Sequence, residues 1–279
     1  MKKVALLIPA CKSNSGEYLA DFLQSIKDNS ISVFSDIYIV AQNYEVGELS
    51  EIVSIIQDSE VKVTIESCES SEFDCKISKV REHMRTNCPK ADYYMVVDDD
   101  MIHNEGAGDY IKSCIEVLES RSDAVVACMT KSWRKYSDGV PYVTLNTWNN
   151  VDMLNGILIK SDYFLNEFKY DDNMIVGEDT SMFIDAFLDG HAMLKFYSAP
   201  MVHIRDNKPE GLTNYYRTNS SELMSNGETS ITKYKTLGML KFRPKIFTEP
   251  AIKLHKANYF KNYGKYPDYL GKYEVDCNE

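Results

Sequence analysis

Across residues 1–200, short apolar β-rich runs alternate with segments whose apolar residues recur at helical spacing. That alternation restricts the possible folds more than any other feature of the chain. Val4–Ile8 is the first run, and Tyr18, Leu19, Phe22, Leu23 and Ile26 then mark a helix over Glu17–Lys27. Ile37–Val40 and Val61–Ile65 read as the next strands, with a helix at Leu49–Ile56 between them. A helix at Ile77–Thr86 precedes the run Tyr93–Val97, and one at Tyr110–Glu119 precedes Ala124–Cys128. Repeated strand-helix-strand units predict an α/β fold, a mostly parallel sheet with helices on both faces. In such sheets ligands gather beyond the carboxyl ends of the strands, so polar residues that follow a buried run are the candidates for function.

The run at Val4–Ile8 stops at Pro9 and is followed by polar residues, which fits a buried strand better than a signal peptide. No apolar stretch approaches the roughly 18 residues of a membrane span, so any membrane contact is expected to be peripheral. The seven cysteines have scattered spacings and no CxxC pair, which argues for free thiols in a reducing cytoplasm over disulfides or a cysteine zinc site.

Asp98-Asp99-Asp100 directly follows Tyr93–Val97 and carries the most chemical information. Three adjacent carboxylates repel one another unless a cation or a set of donors neutralises them. A divalent metal with oxygen preference, Mn²⁺ or Mg²⁺, would do so and would also bridge to phosphate. If the segment is extended, Asp98 and Asp100 share a face and Asp99 points away. An exposed acidic turn, or a cap on the helix that begins near Glu105, is the alternative.

With this motif the sequence resembles the GT-A nucleotide-sugar glycosyltransferases, particularly those of family 2, over roughly residues 4–205. The resemblance rests on an apolar first strand, ALLIPA, and on VVDDD in the place of the family's Asp-x-Asp motif. It implies that Pro9, Ala10, Asp98 and Asp99 lie near the donor nucleotide and that Asp100 is the metal ligand. Of the basic residues before the motif, Lys76, Lys79 and Arg81 are candidates for contact with the nucleotide. In Val151–Phe164 it places Asn155 and Gly156 nearest the donor sugar, with Asp152 also near. In Asn173–Gly190, Gly177 precedes Glu178-Asp179 at the start of a helix. A carboxylate there could cap the helix. The resemblance instead makes Asp179, with Glu178 in reserve, the base that deprotonates the acceptor. It makes His203 a second metal ligand and gives Arg205 and Lys208 the departing diphosphate. The other histidines, His83, His103, His191 and His255, have no such context.

The expected function is metal-dependent transfer of a sugar from a nucleotide diphosphate, UDP being the commonest family donor, with inversion. A retaining enzyme would use the same metal site. A nucleotidyltransferase would open with a glycine-rich phosphate loop, whereas Pro9–Gly16 contains only Gly16. A non-catalytic nucleotide- or carbohydrate-binding protein would not need the acidic residues and histidine.

Residues 131–150 hold Trp133 and Trp148 among turn formers, suggesting a hairpin beside an acceptor pocket. Residues 1–205 are expected to form the catalytic domain. Residues 206–279 are expected to form a lid loop and a helical or irregular C-terminal extension. The net charge of -11 is uneven: Lys233–Lys272 carries ten basic and two acidic residues, so the other 239 residues carry -19. This segment suits a polyanion, with a surface glycan, a lipid-linked acceptor or a modified DNA base all compatible. It equally suits packing against the acidic body of its own chain or of a partner subunit.

Overall fold

A computed structural model of the chain describes residues 2–12, 18–74, 76–130, 142–145, 154–172, 174–176, 178–197, 199–203, 228–229, 233, 237, 239–241 and 246–268. The alternation read from the sequence is present. The strands and helices begin β1 (Val4–Cys11), α1 (Tyr18–Asn29), β2 (Asp36–Gln42), α2 (Val46–Ser54), β3 (Lys62–Cys68), α3 (Ile77–Asn87) and β4 (Tyr93–Val96). They continue with β5 (Met101–His103), α4 (Ala107–Ser120), β6 (Ala124–Thr130), β7 (Tyr142–Leu145) and β8 (Leu154–Lys160). After these come β9 (Met174–Val176), α5 (Glu178–Leu188), β10 (Ala192–Tyr197), β11 (Met201–His203) and, near the end, α6 (Glu249–Tyr263). Of the hairpin expected at 131–150, only β7 lies among the described residues.

The main sheet has the order β3-β2-β1-β4-β8-β6-β10-β7. It is mixed, with parallel pairings in the majority: β3-β2, β2-β1, β1-β4 and β6-β10 are parallel, whereas β8 runs antiparallel to both β4 and β6, and β7 to β10. The chain winds outward from β1 through β2 to β3 and then returns to place β4 on the other side of β1. The carboxyl ends of β1 and β4 therefore face a crevice of the kind where α/β sheets bind ligands.

Side chains on the two faces of each buried strand enter separate cores. On one face Leu6, Ile8, Ile39 and Met95 meet Phe22, Ile26, Leu49, Ile111 and Leu118 of α1, α2 and α4. On the other, Leu7, Tyr38, Tyr94 and Ile159 meet Val80 and Met84 of α3 and Phe183 and Phe187 of α5. Helices thus cover both faces, as expected. The five described cysteines, Cys11, Cys68, Cys88, Cys114 and Cys128, are free thiols. No described helix is long and apolar enough to cross a membrane.

Two histidines set aside in the sequence are parts of this frame. The backbone N–H of His103 donates to Ser25 Oγ (3.0 Å), its Nδ1 lies 2.7 Å from Ser30 Oγ, and its carbonyl accepts from Asn29 Nδ2 (2.8 Å). These contacts tie β5 to the end of α1. The Nδ1–H of His255 donates to Phe187 O (2.6 Å), with the two rings stacked 4.0 Å apart. Burial lowers His103 from 6.5 to about 3 and His255 to about 4. Because both folded values lie below the unfolded one, their stabilising contribution is complete above pH 6.5 and is lost as pH falls. Each histidine is expected to cost up to about 1.4 kcal/mol per pH unit across that window. Urea midpoints at pH 7 and pH 5 check this, and unchanged midpoints would exclude it.

Candidate functional site

β4 ends at Val96, and the acidic triplet follows it as a turn, with Asp99 and Asp100 at the bend before β5. The extended alternation expected for Asp98 and Asp100 is therefore replaced by three separate environments. Asp98 has a half-exposed side chain, and its Oδ1 accepts from Arg81 Nη2 at 2.6 Å. Asp99 is buried, and its Oδ2 accepts from the backbone N–H of Cys11 at 3.1 Å, joining the ends of β4 and β1. Asp100 is 1% exposed. Repulsion among the three carboxylates is relieved by separating them.

Arg81 is buried on α3 and is the basic residue that reaches the triplet. Lys79 pairs instead with Asp74, and Lys76 Nζ donates to the Asp172 carbonyl at 3.3 Å. Helix α3 is fixed along its length. Ser78 Oγ donates to Met174 O (2.6 Å), which attaches α3 to β9, and Arg85 donates to Phe164 O and Leu165 O.

β9 leads into α5, whose first turn carries Glu178 and Asp179. The Asp179 Oδ1 accepts from the backbone N–H of Thr180 at 2.6 Å. Asp179 joins Asp98, Arg81, Val96, Val97, Met101, Gly156 and Ile157 around one small cavity. Residues 17 and 98 positions apart from Arg81 thus meet around its guanidinium. Burial pushes the Asp179 carboxyl above its ordinary value; the positive charge of Arg81 and the Thr180 amide oppose this, and Asp98 adds to it. A carboxylate held in this way accepts a proton more readily than one in water.

The cavity floor requires a glycine. Gly156 lies at φ +152, and a Cβ there would stand 3.2 Å from Met129 Cε, Met95 Cε and Val97 Cγ2. β8 can then lie close to β4 at the point where Val96 pairs with Ile157. Pro9 and Ala10 are buried in β1, paired with Val40 and Ala41 beside the same crevice.

His203 is brought to the triplet by the antiparallel pairing of β11 with β5, in which it stands opposite Met101, the residue after Asp100. Among the described residues, no three His, Cys, Asp or Glu side chains converge on a point that could hold a metal ion. The side chains of His203, Asn155 and Glu178, together with Asp152, Gly177, Arg205, Lys208, Trp133 and Trp148, lie outside the described residues.

Tyr44, which the sequence did not single out, stands just beyond β2. It is 7% exposed, with a hydroxyl that finds no hydrogen-bond partner among the described residues. Burial, followed by the charge of Asp99, raises its phenol above the ordinary value. A buried hydroxyl of this kind is costly to leave unsatisfied.

No protein-family profile matches the sequence, and no curated protein matches it closely. Among solved structures, GalNAc-T7 with UDP, GalNAc and Mn²⁺ is 12% identical, with a TM-score of 0.54 over 84% of this chain and 54% of the other. S. aureus TarS (residues 1–349) is 14% identical, with a TM-score of 0.47 over 70% of this chain and 60% of the other. The chain spans little more than half the length of the structures it matches.

Proposed function

Because the chain has the GT-A fold, we propose that it is a glycosyltransferase that moves a sugar from a nucleotide diphosphate to an acceptor hydroxyl. The observation that carries this reading is the convergence of Asp98, Arg81, Gly156 and Asp179 on one cavity at the carboxyl end of the sheet. UDP is the favoured donor nucleotide and inversion the favoured outcome. That the GalNAc-T7 structure holds UDP and Mn²⁺ supports both the nucleotide and a metal.

In this reading Asp179 takes the acceptor hydroxyl proton as the oxygen bonds to the anomeric carbon. The bond from that carbon to the diphosphate breaks, and the diphosphate leaves with the electron pair. Burial equips Asp179 for proton transfer, and Arg81 keeps it charged before the acceptor arrives. Glu178 is the reserve base. Gly156 leaves room for the sugar against β8, while Asp98, oriented by Arg81, faces the nucleotide. Asp100 and His203 would hold Mn²⁺ or Mg²⁺, which when bound supplies positive charge to the diphosphate. Arg205 and Lys208 add charge beside the leaving group. The lid expected at 206–230 lies outside the described residues, Glu228 and Thr229 apart.

Thermal unfolding with UDP, GDP, CDP and dTDP, each with Mn²⁺ or EDTA, tests the donor site. The cognate nucleotide with Mn²⁺ is expected to add about 2.7 kcal/mol at a hundredfold excess over Kd. Asp100→Asn is expected to remove the metal-dependent part of the rise. No rise with any nucleotide would end the donor-site assignment. A selective rise without sugar transfer to any acceptor would favour a binding protein.

A further inference from the structure

We propose that the outward face of α6 docks on an anionic phospholipid bilayer. The inner face is bound firmly to the body: Tyr259 OH donates to Asp123 Oδ2 (2.7 Å), Asn258 Nδ2 to Leu188 O (2.7 Å), and Asn262 Nδ2 to Asp189 O (2.8 Å). Thr248 caps its start, and Gly264 at φ +68 ends it. This helix is a fixed platform, and its outer surface is left to a partner.

That surface combines rings with ammonium groups. Phe260 is 48% exposed and Tyr266 67%, and the turn after Gly264 brings their rings to 5.0 Å. Leu254 is also exposed, so three of the five large apolar side chains exposed among the described residues fall between positions 254 and 266. Lys253, Lys256, Lys261 and Lys265 surround them, all exposed. Rings that enter at headgroup depth, with lysine stems beside them and ammonium groups turned to phosphate, suit a surface contact made by side chains.

Charge selects the anionic bilayer. On α6 and the turn after it, Lys253, Lys256, Lys261 and Lys265 stand against Glu249 and Asp268, a balance of +2 on a chain whose net charge is -11. Near a negative surface the body is repelled while this segment is drawn in, which fixes one orientation. A nucleic acid would share the charge preference but has no use for the exposed Leu254, and this helix contains no arginine.

The orientation has a geometric consequence. Tyr259 is bonded to Asp123, the residue before β6, at the amino end of the sheet, whereas the cavity lies at the carboxyl ends. A strand of this length spans roughly 20 Å. The docked protein therefore turns its crevice away from the lipid, toward an acceptor in solution.

Flotation of the full chain with vesicles tests the proposal. Vesicles of phosphatidylcholine with about a third phosphatidylglycerol are expected to bind at least about tenfold more protein than phosphatidylcholine alone, and salt should release it. The double variant Phe260→Ser, Tyr266→Ser is expected to lose this binding while retaining its unfolding midpoint. Lys256→Glu, Lys261→Glu should do the same through charge. Equal binding to both vesicle types, or undiminished binding by a folded double variant, overturns the proposal. A lipid-free dimer that the double variant converts to monomer also overturns it, in favour of a second copy on this face.

Discussion

Asp179→Asn is expected to lower the rate of sugar transfer by about 10²–10⁴-fold while making the protein more stable at pH 7. Both effects have the same origin. The folded carboxyl is raised above its ordinary value of 3.8, first by burial. A group raised on folding stabilises the protein below its unfolded value, and that contribution is lost as pH rises through the folded value. At neutral pH the charged form is thus a cost that the fold bears for chemistry, and asparagine removes it. The nucleotide-dependent rise in unfolding temperature should remain, because Asp100 and Asp98 are untouched. On the proposed assignment, the acid limb of the kcat profile should lie above the ordinary carboxylate range. Should Asp179→Asn turn over at the native rate, the assignment of Asp179 as base fails; should it unfold more easily at pH 7, the raised carboxyl fails.

Gly190→Ala is expected to be the most damaging single change away from the cavity. Gly190 lies at φ +87, and a Cβ would stand 2.3 Å from Tyr259 N and 2.4 Å from Asn258 C. These are backbone atoms of α6 that no rotamer change can move. The helix would have to lift from α5 and β10, breaking the bonds of Tyr259 to Asp123 and His255 to Phe187. With backbone strain added to a displaced helix, a loss of about 3 kcal/mol or more is expected, enough to leave little folded protein at 37 °C. Urea denaturation measures it, and a loss below about 1 kcal/mol would mean that α6 is less tightly seated than its contacts imply.

The fold was largely legible because its strands are buried runs and its helices carry clear stripes. VALLIPAC could be little other than a central strand, and Tyr18, Leu19, Phe22, Leu23 and Ile26 all face the core. The direction of β8 was not legible. Antiparallel insertion between β4 and β6 depends on contacts with residues 93–96 and 124–130, and no local pattern encodes it. The acidic triplet lies at the end of the sheet that holds the small cavity, but side-chain alternation assumes an extended segment, and the turn at Asp99-Asp100 removed that premise.

Among the basic residues of α3, one signal was available. Ile77, Val80 and Met84 form the apolar stripe, and Arg81, at i+4 from Ile77, lies on it, whereas Lys76 and Lys79 do not. A charge on a buried stripe implies an opposite charge within reach, and that partner is the half-exposed Asp98. Tyr44 offered nothing comparable, because a tyrosine after a strand is usually ordinary core. The basic tail had two readings in sequence. His255, Tyr259 and Tyr263 satisfy the one in which it packs on its own chain, which leaves the lysines and Phe260 for the other.

The order β4-β8-β6 also bears on how the chain reaches this structure. β3, β2, β1 and β4 are complete once residue 96 has been made, and each pairs with a neighbour inside that segment. β6, β10 and β7 form a second block, and β8 is the seam that joins the two. Its hydrogen bonds close loops on both sides, so its pairing is complete only when both blocks exist. Protection of the β8 amides in pulsed hydrogen exchange should accordingly appear after that of β1 and β2. The strand that supplies Gly156 to the cavity would be among the last to settle, so the cavity and the continuous sheet would come into being in one step.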